Sequence, residues 1–297
     1  MSLDNAPDAD RISIASSEAC ELSLFTNHRQ DLAKLAQGDR LRSLRARTGV
    51  DFSSNDYLGL ANCDALRKAA LDAINTGVAL GSGGSRLLRG NCFEHELLES
   101  AAAQFFGSES ALFFATGFAA NMAILSTLPQ RGDLVLYDEL IHASAHDGMR
   151  LGRAECRPFR HNDVSALEGS MVAWRREGGT GSVWIAVESL YSMDGDRAPL
   201  SDLAVLADAY DAILLVDEAH ATGVFGSRGE GLAGHLHQLP NVITLHTLGK
   251  ALGWALSGLC GMERTSTLGG PDGTQVEGQT AQSVSRVQFI ACGDPPP

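Results

Sequence analysis

Ala212-Ile213-Leu214-Leu215-Val216-Asp217-Glu218-Ala219-His220 is the stretch that decides the fold of this chain. Five apolar residues in a row, without the alternation of a half-exposed strand, read as a strand buried on both faces of a parallel sheet. Open α/β sheets bind ligands beyond the carboxyl ends of their strands, and Asp217 falls at such an end. A second apolar run, Val242-Ile243-Thr244-Leu245, leads into His246-Thr247-Leu248-Gly249-Lys250-Ala251-Leu252-Gly253 and delivers Lys250 to the same edge. A carboxylate and an amine at one edge suit pyridoxal phosphate. The carboxylate keeps the pyridine nitrogen protonated, so that the ring withdraws electrons, and the amine forms a Schiff base with the aldehyde.

Working outward, strands and helices alternate. Residues 94–106 read as a helix ended by Gly107, 111–114 as a strand, and 118–128 as a helix ended before Pro129. The rhythm continues with a strand at 134–136, a helix at 142–151, a helix at 164–176 capped by Asn162 or Asp163, a strand at 183–187 and a helix at 202–210 capped by Ser201. This alternation predicts an α/β fold, a three-layer sandwich around a mostly parallel central sheet. Three regions are expected: an N-terminal arm and helix over residues 1–50, with the helix at 21–37; a large cofactor-binding domain over 51–258; and a divergent tail over 259–297. The tail is rich in Gly, Thr, Ser and Gln and lacks apolar periodicity, so it is expected to be disordered.

A length of 297 residues is enough for one large α/β domain with appendages. A formal net charge of −13, with no basic cluster beyond the short stretch at 40–47, argues against nucleic-acid and membrane surfaces and for small-molecule substrates. The cysteines at 20, 63, 92, 156, 260 and 292 form no C-x-x-C pair and read as reduced thiols. The acidic start has no signal-peptide pattern and no apolar run approaches spanning length, so a cytoplasmic location is expected. No metal site is expected, since only His142 and His146 recur at ligand spacing. Asp217-Glu218-Ala219-His220 also matches the metal-binding box of helicases, but no G-x-x-x-x-G-K-[ST] loop precedes it.

Other segments add chemistry. Phe113-Phe114-Ala115-Thr116-Gly117-Phe118-Ala119-Ala120-Asn121 runs from strand to helix, which puts the amides of Gly117 and Phe118 at a helix N-terminus, where phosphate is favoured. Alone this is an ordinary turn; beside Asp217 and Lys250 it reads as a phosphate cup. His142 opens a helix and is placed either to cap it or to lie flat on the pyridine ring. Ser192, in Ser192-Met193-Asp194-Gly195, and His220 are candidates for the cofactor's phenolic oxygen.

With these residues in hand the chain resembles the α-oxoamine synthases, the fold-type I pyridoxal-phosphate enzymes that condense an amino acid with an acyl thioester. The resemblance covers about residues 51–257. It rests on Ser54-Asn55-Asp56-Tyr57-Leu58-Gly59-Leu60, Gly81-Ser82-Gly83-Gly84-Ser85-Arg86, His95-Glu96-Leu97-Leu98-Glu99, the segment 116–121, Ser192-Met193-Asp194-Gly195, Asp217-Glu218-Ala219-His220-Ala221-Thr222-Gly223 and Thr247-Leu248-Gly249-Lys250. The resemblance implies that Lys250 carries the cofactor and moves the substrate α-proton, Asp217 neutralises the pyridinium, and His142 stacks on the ring. It further implies that Ser192 and His220 bind the phenolic oxygen, and that Gly117, Phe118 and Thr247 bind phosphate. Asn55 and an N-terminal arginine would meet substrate, with Arg42 the counterpart chosen over Arg40 and Arg45. Ser53-Ser54-Asn55-Asp56-Tyr57 favours members that join L-alanine to a pimeloyl thioester with loss of CO2, although glycine-using members share most motifs. A homodimer is implied, with 81–89 reaching across. Relatives continue after Lys250 into a small C-terminal domain, which this chain is expected largely to lack, leaving a truncated, inactive cofactor binder as an alternative.

Overall fold

The structure is a computed structural model that describes residues 25–44, 46, 48–253 and the backbone of 258–262. The chain divides into two compact units, residues 1–53 and 54–297, three residues beyond the first boundary expected from sequence. In the first unit helix α1, Thr26–Gln37, ends at Gly38 and buries none of its residues. The sequence reading begins this helix at residue 21; residues 21–24 lie outside the described residues.

In the second unit the elements follow one another as helix α2 (Asp64–Asn75), α3 (Phe93–Phe106), strand β1 (Ser110–Phe114), α4 (Gly117–Thr127), β2 (Leu134–Asp138), α5 (Ala143–Leu151) and β3 (Glu155–Phe159). They continue as α6 (Val164–Arg176), β4 (Val183–Glu188), α7 (Leu200–Ala209), β5 (Ile213–Asp217), β6 (Val242–Thr247) and β7 (Gly258–Met262). The seven strands form one sheet in the order β1-β7-β6-β5-β4-β2-β3. β6, β5, β4, β2 and β3 pair in parallel, and β7 runs antiparallel to both β1 and β6. The fold is therefore an α/β sandwich with a mostly parallel sheet, and the carboxyl ends of β2, β4, β5 and β6 share one edge.

Strand alternation sorts the core into two layers. Leu134, Leu136, Ile185, Leu214 and Val216 face α6 and α7 and pack with Leu167, Met171, Trp174 and Leu203. Val135, Trp184, Ala186, Leu215 and Leu245 face the other way, against Ala120, Ile124 and Leu125 of α4 and Ala145 and Met149 of α5. Each fully buried side chain of this size contributes roughly 1.5–3 kcal/mol, which fixes register wherever both faces are covered. Gly148 allows α4 and α5 to touch, because a Cβ there would lie 2.9 Å from the Asn121 carbonyl oxygen.

The structure departs from the sequence reading in four places. α7 begins at Leu200 with Pro199 at its N-cap, so Ser201 is not the cap; the fixed φ of proline suits a helix start. β3 is an extra edge strand, hidden in sequence by Arg157 and Pro158, both tolerable at an edge. α2 is an additional helix, burying only Ala69 and Ala73. Gly258–Met262 enters the sheet as β7, although the reading starts the tail at residue 259. Its Gly-rich composition conceals a strand whose pairing comes from neighbours on both sides. The expected loss of the small domain and the disorder of the tail concern residues 263–297, outside those described. Among the described residues no helix is long and apolar enough to cross a membrane.

Candidate active site

A cleft of about 330 Å³ opens beyond the carboxyl ends of the strands and is lined by Asn55, Gly117, Phe118, His142, Asp217, His220, Thr247 and Lys250, among others. Eight of the ten site residues chosen from sequence thus line one cavity. Ser192 is solvent-exposed on the turn after β4 and does not line it. The turn after β4 leaves this residue facing solvent, which corrects the sequence placement. Arg42 is exposed in an irregular segment of the first unit.

Asp217 ends β5 and is only 7% exposed. A buried carboxylate needs donors, and it has two: the Ala219 amide gives a hydrogen bond to Oδ1 at 2.9 Å and the Asn121 Nδ2 one to Oδ2 at 2.7 Å. Glu218, the next residue, points away and accepts from the amides of Leu232 and Ala233 at 2.7 and 3.1 Å. Only the first acid of the Asp-Glu pair therefore belongs to the cleft.

Lys250 is half-buried beside Asp217 and Glu188. Burial lowers its pKa from the ordinary value, against the opposing pull of the two acids. More of its unprotonated, nucleophilic form is then present near neutrality. This is the only one of the chain's three lysines so placed: Lys34 and Lys68 are exposed and ion-paired to Asp31 and Asp72 along their own helices.

Opposite lies the N-terminus of α4. Thr116 caps it, its hydroxyl accepting from the Ala119 amide at 2.9 Å, and the amides of Gly117 and Phe118 stand at the cavity. A Cβ on Gly117 would lie 2.9 Å from the Thr247 methyl, so glycine is what lets the helix end meet β6. The Thr247 hydroxyl is buried and has no partner. Two first-turn amides and an unpartnered hydroxyl make a cradle for a phosphate.

His142 caps α5, its Nδ1 lying 3.2 Å from the Ser144 amide nitrogen and 2.7 Å from the Ser144 hydroxyl. It also lines the cleft, so the two sequence readings of this residue, cap and ring contact, are compatible. His220 is 9% exposed, with Nδ1 2.7 Å from the Tyr57 hydroxyl. Burial, reinforced by Lys250, pushes its pKa down to about 4, so the imidazole is neutral at ordinary pH.

Sequence reasoning missed Glu188, Asn121, Ser144 and Tyr57. Glu188 is 2% exposed, and burial, reinforced by the charge of Asp217, pushes its pKa up to about 8. The available signal for Asn121 was a lone amide in the apolar run Gly117-Phe118-Ala119-Ala120-Asn121-Met122-Ala123-Ile124-Leu125, one turn beyond Gly117. Among the described residues no group of three or more His, Cys, Asp or Glu side chains is gathered as a metal site would require.

A parallel sheet with an acid, an amine and a helix N-terminus at one edge defines a class, and comparison with known proteins agrees. The chain belongs to the aminotransferase class I and II family, whose pattern matches residues 47–259. The relatives it resembles are α-oxoamine synthases, as the order of motifs implied. It is 46% identical to 8-amino-7-oxononanoate synthase of Chromobacterium violaceum over 221 residues, 74% of this chain and 56% of that protein. It is likewise 46% identical to 8-amino-7-oxononanoate synthase of Citrifermentans bemidjiense over 222 residues, 74% of this chain and 55% of that one. The chain thus spans about half the length of the curated relatives it matches. A serine palmitoyltransferase of S. paucimobilis, solved with PLP and myriocin bound, superposes with a TM-score of 0.70 at 28% identity, covering 82% of this chain and 64% of that one. The 8-amino-7-oxononanoate synthase of Francisella tularensis gives 0.59 at 30% identity, covering 72% and 58%.

Proposed function

We propose that this chain binds pyridoxal 5'-phosphate through Lys250 and serves the decarboxylative condensation of L-alanine with a pimeloyl thioester to 8-amino-7-oxononanoate, a step of biotin biosynthesis. The observation that carries the reading is the placement of one depressed, half-buried lysine beside an acid held by two donors, across from a phosphate cradle. Bound there, the cofactor supplies an electron sink for the bond-breaking at the amino-acid α-carbon.

The chain's residues then divide the work. The Gly117 and Phe118 amides and the Thr247 hydroxyl would hold the phosphate, and Asp217 would serve the ring nitrogen. His142, which lines the same cleft, would contact the ring. His220, neutral, is the hydrogen-bond partner we assign to the phenolic oxygen. Lys250 would anchor the cofactor and move the substrate α-proton, a task suited to an amine of lowered pKa. Asn55, which lines the cleft, and Arg42 are the residues we assign to substrate, Arg42 to its carboxylate. The working unit is a homodimer in the cytoplasm, built by the 81–89 segment, in line with the usual two-fold symmetry of soluble oligomers.

The test is CO2 release from L-alanine, glycine and L-serine with pimeloyl thioester, on either CoA or acyl carrier protein. Preference for alanine supports the reading. Preference for glycine would place the chain with 5-aminolevulinate synthase or 2-amino-3-ketobutyrate ligase. Cofactor attachment without turnover would leave a binding protein only.

A further inference from the structure

Asp217 and His142 sit on different elements, one at the end of β5 and the other capping α5, yet two side chains from neighbouring helices join them. Asn121 of α4 is 3% exposed, and its single amide nitrogen donates to Asp217 Oδ2 at 2.7 Å and to Ser144 Oγ at 3.0 Å. Ser144, 1% exposed, lies 2.7 Å from His142 Nδ1. The direction of the chain follows from which groups hold protons. Nδ2 of an amide only donates, so the Ser144 oxygen accepts from Asn121 and keeps a second lone pair and its own proton for His142. The Ser144 backbone amide also points at Nδ1 and also only donates. That amide requires a lone pair on Nδ1, and a ring nitrogen without a proton can only accept, so the Ser144 hydroxyl donates to it.

We propose that Asn121 and Ser144 are positioning residues that tie Asp217 and His142 into one hydrogen-bonded unit and hold His142 with its proton on Nε2, the nitrogen that the helix cap does not use. The proposal rests on the cofactor reading for its purpose but not for its geometry. α4 then does two jobs: its first turn cradles phosphate and its second turn, through Asn121, sets the acid that faces the ring nitrogen. The close approach of α4 and α5 at Gly148 is what brings Asn121 and Ser144 within bonding distance. An imidazole held this way keeps its Nε2–H free as a donor for a ligand in the cleft.

The experiment combines nitrogen NMR of the 15N-histidine-labelled full chain, before and after loading with pyridoxal phosphate, with the release rate of the cofactor. The His142 signal is assigned by its loss in His142→Gln. The wild type should show His142 Nδ1 bare and Nε2 protonated in both forms. Ser144→Ala should shift His142 toward a mixture of tautomers while leaving the Asp217–Asn121 bond in place. Asn121→Ala should give the same shift, move the pH midpoint of the visible cofactor band, and speed cofactor release by about tenfold, the scale of losing one hydrogen bond to a charged group. If Asn121→Ala does not fold, Ser144→Ala still decides the relay. A wild-type His142 carrying its proton on Nδ1, or an unchanged tautomer in Ser144→Ala, would overturn the proposal. Failure of the wild type to take up the cofactor would instead break the cofactor reading, and the spectrum of the unloaded chain would still test the relay.

Discussion

The ends of β4 and β5 lie side by side, with Glu188 and Asp217 as register partners, and each puts a buried acid at the cleft. Their surroundings differ. Asp217 has both carboxylate oxygens satisfied, by Ala219 and Asn121, whereas Glu188 leaves Oε1 buried without a partner. Burial and the neighbouring charge of Asp217 push Glu188 up to about 8, with Lys250 and the backbone amides of Ser192 and His142 pulling the other way. Two like residues on adjacent strands thus meet unlike surroundings: Asp217 has a donor for each oxygen, whereas burial holds Glu188 toward its protonated form. One acid is fully satisfied by its donors, and the other is a wall of the cleft with spare hydrogen-bonding capacity.

Removing the charge from β5 should have the largest effect. Asp217→Asn keeps the shape and loses the charge, so we expect the rate of the cofactor-dependent reaction to fall by about a hundredfold, with cofactor affinity much less affected, given the strength of hydrogen bonds to charged groups. Steady-state kinetics beside equilibrium dialysis would show it, and equal loss of both would mean that the acid serves the fold alone.

The β4 acid should act on stability, with a sign opposite to that of His220. Glu188 binds its proton more tightly folded than unfolded, so its contribution is present below pH 4.5 and is lost as pH rises toward 8. His220, lowered from 6.5 to about 4, makes the unfolded chain the better proton binder, so stability falls as pH drops through that window. Glu188→Gln should raise stability at pH 8 by on the order of 2 kcal/mol relative to wild type and leave it little changed at pH 4.5. Denaturant midpoints across this range would check it; a variant that tracks the wild type at every pH would contradict the account.

A third test leaves both acids intact and strikes the wall opposite. Gly117→Ala places a methyl against the Thr247 side chain, at an overpacking cost of about 1–3 kcal/mol, and should weaken cofactor binding accordingly in a fluorescence titration. The smallest effect is expected from Thr116→Ala, which removes a helix cap worth about 1 kcal/mol and should lower the thermal midpoint while sparing attachment to Lys250.

The residues legible in sequence are those whose position follows from where a strand ends. Asp217 and Lys250 each follow an apolar run, and Gly117 opens a helix directly after β1, so local pattern sets their place at the edge. Glu188 also ends a strand, yet nothing local says that one of its oxygens stays without a donor. Asn121 and Ser144 depend on α4 and α5 lying in contact, which the glycines at 148 and 152 permit and no periodicity reports. Ser192 shows the converse: its segment was recognised, but the turn carries the hydroxyl to solvent. β7 escaped notice because its strand character comes from pairing with β1 and β6 on either side.

The central claim is that Lys250, and no other amine, receives the cofactor. The chain has three lysines, so borohydride reduction after incubation with pyridoxal phosphate, followed by peptide mass mapping, reads the answer directly. The account predicts a phosphopyridoxyl group on the peptide containing Lys250 at near-unit stoichiometry, and no such label in Lys250→Ala. Labelling of Lys34 or Lys68 to the same extent, or an undiminished label in the variant, would contradict it.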